Sequence, residues 1–180
     1  MKSIAILGST GSIGKSLIKI ISKDKNFFEI KLLTARKNYK ELLKQAKLFE
    51  VKNVILTNCE IFHKKKKIFK KNKINIFNNY EHFNKIFNKK IDYVMSSIVG
   101  IDGLIPTMMI IKHTKSIAVA NKETIICGWN LIKKELKKNN TKFIPVDSEH
   151  FSIWYALKNE NSDSVERLYI TASGGPFYKI

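Results

Sequence analysis

Asp147-Ser148-Glu149-His150 brings two carboxylates and an imidazole into four residues. Just past the apolar run that ends at Val146, extended chain would turn residues two apart to the same side, so Asp147 and Glu149 would face one point. Two carboxylates with room for waters and a substrate oxygen suit magnesium or manganese. The same residues also suit a helix start, with an acid capping the first turn and His150 beside it. On spacing alone both readings stand.

Asn121-Lys122-Glu123 follows the apolar stretch Ile117–Ala120. A lysine at a strand's end can bind a phosphate or polarise a carbonyl, or the three residues can simply open a helix with Glu123 in its first turn. Ser173-Gly174-Gly175-Pro176-Phe177 follows Leu168–Ala172. Its glycines would let successive N–H groups face an anion, and a plain Gly-Gly-Pro turn is the alternative.

The phosphate chemistry is clearest near the N-terminus, in Gly8-Ser9-Thr10-Gly11-Ser12-Ile13-Gly14. A strand that turns through glycines into a helix leaves backbone N–H groups unpaired at a positive helix end, where a pyrophosphate binds. The spacing is G-x-x-G-x-x-G rather than G-x-G-x-x-G, with Thr10 where the usual fingerprint has glycine. An Asp or Glu about 20 residues further on would hold the ribose 2′-hydroxyl of NAD. Arg36-Lys37-Asn38 stands there instead, and paired cations suit the 2′-phosphate of NADP, unless they are only solvated charges on a turn.

These residues need elements to position them. Apolar runs predict strands over Ile4–Leu7, Phe28–Leu33, Val51–Leu56, Ile91–Met95, Lys115–Ala120 and Thr141–Val146. Helical spacing predicts a helix after Gly11 with Ile13, Leu17, Ile18, Ile20 and Ile21 as its apolar stripe. Further helices are expected over Tyr39–Phe49 and Leu104–Ile111, and from near Glu123. Between His63 and Lys90 the chain is uninformative. There Lys64-Lys65-Lys66-Lys67 reads as the wet face of a helix packed through Ile61, Phe62, Ile68 and Phe69, and His63 and His82 as surface or boundary residues. Strands alternating with helices predict an α/β fold, a doubly wound parallel sheet with ligands at the carboxyl ends of its strands. Those ends are Gly8–Gly14, Ala35–Asn38, Ser96–Gly100, Ala120–Glu123 and Asp147–His150.

The composition bears on partners. The formal charge is +18, from 31 Lys and 2 Arg against 15 acids, beside 27 Ile and 16 Asn. A surface that reads nucleic acid favours arginine, whereas Lys, Ile and Asn share A/T-rich codons, so compositional drift explains the charge better than a polyanion partner. The longest apolar runs fall far short of the roughly 18 residues that span a bilayer, and Met1-Lys2-Ser3, leading directly into the first strand, gives the expectation of no signal or transit peptide. Cys59 and Cys127 form no metal or redox motif, which fits a reducing cytoplasm.

Four motifs in one order carry a resemblance: Ile6–Gly14, Ala120-Asn121-Lys122-Glu123, Pro145–His150 and Ser173–Phe177. The chain resembles the N-terminal part of 1-deoxy-D-xylulose 5-phosphate reductoisomerases, enzymes of the non-mevalonate isoprenoid pathway. The resemblance implies a Rossmann-like NADPH-binding domain over 1–145 and the start of an α+β catalytic domain over 146–180. It implies an NADPH-dependent and Mg²⁺- or Mn²⁺-dependent oxidoreductase that converts 1-deoxy-D-xylulose 5-phosphate to 2-C-methyl-D-erythritol 4-phosphate. Matched by motif, Thr10, Gly11, Ser12 and Ile13 would hold NADPH, with Arg36, Lys37 and Asn38 near its 2′-phosphate and Asn121 and Glu123 completing the cofactor site. Lys122, Ser148, Glu149 and Ser173 would bind the phosphorylated sugar, Lys122 and Glu149 as catalytic groups, and Asp147 and Glu149 would ligate the metal. Arg36 stands where many members have glycine.

Members of the family continue for more than as much again beyond the position of Ile180. The expectation is therefore a fragment or a truncated gene product, nearly silent catalytically by itself. At full length a homodimer is expected, in the cytoplasm or a plastid-type organelle, with no membrane partner. Two other classes stay open: another NADP-dependent dehydrogenase of the same fold, and a lysine-rich nucleic-acid-binding domain.

Overall fold

A strand buried on both faces of a sheet carries apolar residues continuously instead of alternating them with polar ones. The first strand, β1 (Lys2–Leu7), is of this kind: Ile4, Ala5, Ile6 and Leu7 are all buried. Ile4 and Ile6 face one side, Ala5 and Leu7 the other. A computed structural model describes residues 1–160 and 162–169 of the chain.

Six more strands join β1: β2 (Phe28–Ala35), β3 (Asn53–Leu56), β4 (Asn75–Phe77), β5 (Tyr93–Ser96), β6 (Ser116–Val119) and β7 (Lys142–Pro145). Among the described residues they form a seven-stranded sheet in the order β4-β3-β2-β1-β5-β6-β7, and every pairing is parallel. The order reverses between β1 and β5, the topological switch point at which such sheets open a crevice.

The helices are α1 (Ser12–Ile21), α2 (Tyr39–Leu48), α3 (Cys59–Lys71), α4 (Phe83–Ile86), α5 (Leu104–Ile111), α6 (Lys122–Lys138) and α7 (Ser148–Ala156). Ile18 of α1, Leu42 of α2 and Phe69 of α3 pack on one face of the sheet. Phe83 of α4, Ile110 of α5 and Ile132 of α6 pack on the other. In β2 the register slips by one residue at Lys31, between Ile30 opposite Ile4 and Leu32 opposite Ala5. That bulge lets Ile30 and Leu32 face opposite layers although they stand two apart.

Most expected elements are present with shifted ends. β2 runs two residues beyond the predicted Leu33, while β3, β6 and β7 lose terminal residues to the adjoining loops. The predicted stripe of α1 needs correcting. Its buried face is Gly14, Ile18 and Ile21, whereas Ile13 and Ile20 are 41% and 63% exposed. A period of 3.6 carries 14, 18 and 21 round to one side and leaves 13 and 20 off it.

The stretch that looked featureless holds α3, β4 and α4. In α3 Phe69 is fully buried but Ile68 is 41% exposed. Lys65 lies over the Tyr39 ring and Lys66 over the Phe62 ring, so the lysine run is only partly a wet face. His63 is exposed and His82 half-buried, as expected. The expected strand Leu168–Ala172 lies mostly, and Ser173–Phe177 wholly, outside the described residues.

Candidate functional site

The glycine turn is locked by the strand beside it. Thr34, near the end of β2, accepts the Gly8 N–H through its hydroxyl at 2.9 Å and the Ser9 N–H through its carbonyl at 2.9 Å. Gly8 has φ +81°, and a Cβ there would come within 2.8 Å of the Ser97 carbonyl oxygen. Gly14 packs still closer, since its Cβ would lie 2.4 Å from the Gly8 carbonyl oxygen. Glycine at 8 and 14 is thus a packing requirement. Gly11 is the N-cap of α1 and brings no side-chain hydrogen bond, so no side chain occupies the first-turn N–H groups. That leaves the positive end of α1 open to an anion.

A cavity of about 720 Å³ opens in front of this turn. The carboxyl ends of β1, β2, β3 and β5 supply Thr10, Gly11, Arg36, Thr57 and Ser97, and Tyr80 comes from the turn after β4. Burial pushes the Tyr80 phenol up to about 12, against a hydrogen bond from Thr34 and with a further upward push from the Asp102 charge.

The residues expected to hold a cofactor are partly gathered here. Thr10, Gly11 and Arg36 line the cavity. Ser12 and Ile13 form the exposed tip of α1 directly after Gly11. Lys37 and Asn38 are exposed after β2, and the Asn38 side chain caps α2 by accepting the Glu41 N–H at 3.2 Å. Asn121 is buried and not in the cavity wall. Its Oδ1 accepts the Thr124 N–H at 3.1 Å and its Nδ2 donates to the carbonyls of Ile98 and Gly100, so it shapes the loop after β5. Lys122 and Glu123 occupy the first turn of α6, exposed and outside the cavity wall.

The acidic turn departs from the extended-chain expectation. A helix begins at Ser148, so the geometry that placed Asp147 and Glu149 on one side of a strand does not apply. Asp147 is the N-cap of α7: Oδ1 accepts the His150 N–H at 3.0 Å and meets His150 Nδ1 at 2.6 Å. Burial pushes the Asp147 carboxyl up, but these hydrogen bonds outweigh it and hold the group below its ordinary value. Its second oxygen, Oδ2, is buried with no partner. Ser148 and Glu149 are exposed in the first turn.

A lone buried carboxylate oxygen with an acid two residues on fits a hard cation, while the other oxygen keeps the cap. Among the described residues no cluster of three or more His, Cys, Asp or Glu gathers, so two carboxylates are the most this part offers.

Sequence reasoning missed Gln45 and Asp102. Gln45 stands between Leu42 and Ala46 on the buried face of α2, and a polar residue inside an apolar stripe is the signal that could have found it. Its Nε2 donates to the Ser9 carbonyl at 3.1 Å. Asp102 pairs with Arg36, its Oδ2 3.2 Å from Nη1, and no local pattern announces a contact 66 residues apart.

The parallel sheet, the locked glycine turn at the switch point and the cleft before it define a doubly wound, Rossmann-type domain. The family model for 1-deoxy-D-xylulose 5-phosphate reductoisomerase matches residues 4–128, and the model of its C-terminal domain matches 143–180. The chain belongs to the 1-deoxy-D-xylulose 5-phosphate reductoisomerase family.

It is 62% identical to the reductoisomerase of Pelagibacter ubique over 98% of this chain and 46% of that one. With the Clostridium novyi protein it shares 39% identity over 98% of the chain and 47% of the relative. The chain thus spans about half the length of the curated relatives it matches. Among solved structures, the Zymomonas mobilis reductoisomerase in complex with NADPH superposes with a TM-score of 0.87 at 31% identity, over 98% of this chain and 47% of that one. A reductoisomerase in complex with NADPH, fosmidomycin and magnesium gives 0.80 at 29% identity, over 89% and 41%.

Proposed function

We propose that this chain supplies the NADPH-binding part, and two of the metal-binding carboxylates, of an enzyme that converts 1-deoxy-D-xylulose 5-phosphate to 2-C-methyl-D-erythritol 4-phosphate. The observation that carries the reading is the open N-terminus of α1, with no side-chain cap, behind a glycine turn that Thr34 holds rigid. Membership of the family and the NADPH and magnesium named for its solved members support it.

In this reading Thr10, Gly11, Ser12 and Ile13 receive the pyrophosphate end of the dinucleotide. Arg36, Lys37 and Asn38 stand at the end of β2, where the ribose substituent is read, and the two cations select the 2′-phosphate. Asn121 acts through the loop it ties down, and Glu123 opens α6 beside it. Asp147 and Glu149 take one magnesium or manganese ion, while Lys122, Ser148 and Glu149, with Ser173 outside the described residues, meet the phosphorylated sugar. The bound nicotinamide contributes a hydride and the bound cation a Lewis acid. The residues of this chain hold, orient and exclude water.

We assign 1–145 to the cofactor domain and 146–180 to the start of the catalytic one. The whole protein is a cytoplasmic homodimer in this reading. The described residues contain no helix long and apolar enough to cross a membrane. Equilibrium titration with NADPH and NADH, with and without magnesium, tests the reading. Saturable NADPH binding tighter than that of NADH supports it, and equal affinity or no binding removes it.

A further inference from the structure

An acid does stand where a dinucleotide's ribose is read, but it comes from another part of the chain. Asp102 lies in the short 3-10 turn Ile101–Gly103 after β5, and Arg36 follows β2. The two side chains meet across the mouth of the cavity, and both belong to its wall.

The backbone that carries Asp102 is fixed, although its side chain is 65% exposed. Its turn closes with the Gly103 N–H on the Gly100 carbonyl at 3.2 Å, and Asn121 Nδ2 holds the carbonyls of Ile98 and Gly100 just before it. Gly103 is packed so closely that a Cβ would meet the Ile98 carbonyl oxygen at 2.9 Å. The Arg36 side chain is 73% exposed and reaches Asp102 through one nitrogen only.

We propose that Asp102 is a cofactor-specificity residue, competing with the cofactor's 2′-phosphate for the Arg36 guanidinium and so tempering the preference for NADPH. The proposal rests on the reading of the cleft as an NADPH site. An exposed, singly bonded ion pair is weak, so a phosphate that engages the guanidinium fork twice displaces the carboxylate. The displaced Asp102 is then left beside a dianion, and that repulsion opposes binding. NADH brings a 2′-hydroxyl instead, which donates to a carboxylate and leaves the pair undisturbed. Both effects narrow the gap between the cofactors.

The test is D102N, which keeps the shape and removes the charge. Dissociation constants for NADPH and NADH are measured at low salt in the unmutated chain, D102N, R36A and the double variant. NADPH is expected to bind roughly two- to fivefold more tightly to D102N, the span of an exposed ion pair. NADH stays the same or weakens, and the NADPH gain shrinks in the R36A background. Unchanged or weakened NADPH binding in D102N overturns the proposal, because Asp102 would then be idle or would be aligning Arg36. An equal gain with and without Arg36 overturns it as well, since Asp102 would then act only as a remote charge. No NADPH binding by the unmutated chain removes the cofactor reading and this proposal together, whereas normal binding with a silent D102N removes this proposal alone.

Discussion

Gln45, in the second turn of α2, donates its side-chain amide to the carbonyl of Ser9 in the glycine turn. The same nitrogen also meets Glu41 Oε1 at 3.0 Å, and the residue is 1% exposed. The peptide that aims the N–H groups of the turn is therefore held from the β2 side by Thr34 and from α2 by Gln45.

Replacing Gln45 by Leu fills the same space but removes the donor. Unfolding by denaturant should show a loss of at most about 1 kcal/mol, because leaving the Ser9 carbonyl unmet is partly offset by removing Gln45 Oε1, itself buried without a partner. NADPH affinity should fall several-fold in protein that is still folded, because the turn is no longer held at that peptide. Unchanged affinity in a folded Gln45→Leu chain would mean that Thr34 alone sets the turn.

Two glycines separate close packing from backbone freedom. A Cβ on Gly14 would meet only backbone atoms, at 2.4, 2.6 and 2.7 Å, with no flexible neighbour to yield. Gly14→Ala should therefore cost at least about 3 kcal/mol or abolish soluble expression. Gly100 has φ +71° and ψ −168°, a region essentially reserved for glycine, but nothing lies within 4 Å of its Cβ position, so Gly100→Ala should cost about 1–3 kcal/mol of backbone strain with no packing clash. Similar melting temperatures for the two variants would contradict the contrast.

The sequence is informative where a residue's neighbours in the chain are also its neighbours in space. Ile4–Leu7 with Gly8, Gly11 and Gly14 makes strand, turn and helix within one local unit, and the structure agrees with it there. Thr34, Tyr80 and Asp102 meet the glycine turn or each other only because parallel crossovers bring several strand ends to one rim, and no periodicity encodes that. At Asp147–Glu149 the local rule itself was ambiguous. Extended chain and helix cap use the same residues, and α7 begins at Ser148, inside the run that the strand reading needs extended.

His113 offers a pH signature. Its ring packs 5.4 Å from Phe87 and 6.2 Å from Phe83, and its Nε2 is buried without a partner. Burial, helped by the Lys112 charge, pushes its pKa below the ordinary histidine value. A depressed histidine favours folding above the unfolded pKa of about 6.5, and that contribution is lost as pH falls through the folded value. Stability measured from pH 7.5 to 5 should therefore decline, and less steeply in His113→Gln. Asp92, held far below the usual carboxylate range by Lys115 and then by the Ser3 N–H and hydroxyl, acts in a separate and more acidic window. Equal slopes between pH 7.5 and 5 for both proteins would contradict the His113 assignment.

The last expectation concerns the two oxygens of Asp147, which have separate tasks. Oδ1 caps α7 through the His150 N–H, and Oδ2, buried without a partner, is the oxygen proposed for a cation. Asparagine keeps one carbonyl oxygen for the cap and places an NH₂ group where Oδ2 was, and that group cannot ligate a metal. Asp147→Asn should thus retain the melting temperature to within about 1 °C while losing Mn²⁺ binding, followed by calorimetry or by the electron spin resonance of the free ion. In a complete protein of this family the same change should abolish turnover and leave NADPH affinity nearly intact, since Asp147 is not among the residues proposed to hold the cofactor. Asp147→Ala removes both oxygens, so it should add a stability loss of about 1 kcal/mol to the loss of metal. Glu149→Gln, exposed and outside the cap, should weaken the metal with no change in stability. Near-normal turnover and Mn²⁺ binding in Asp147→Asn would leave Asp147 as a helix cap alone.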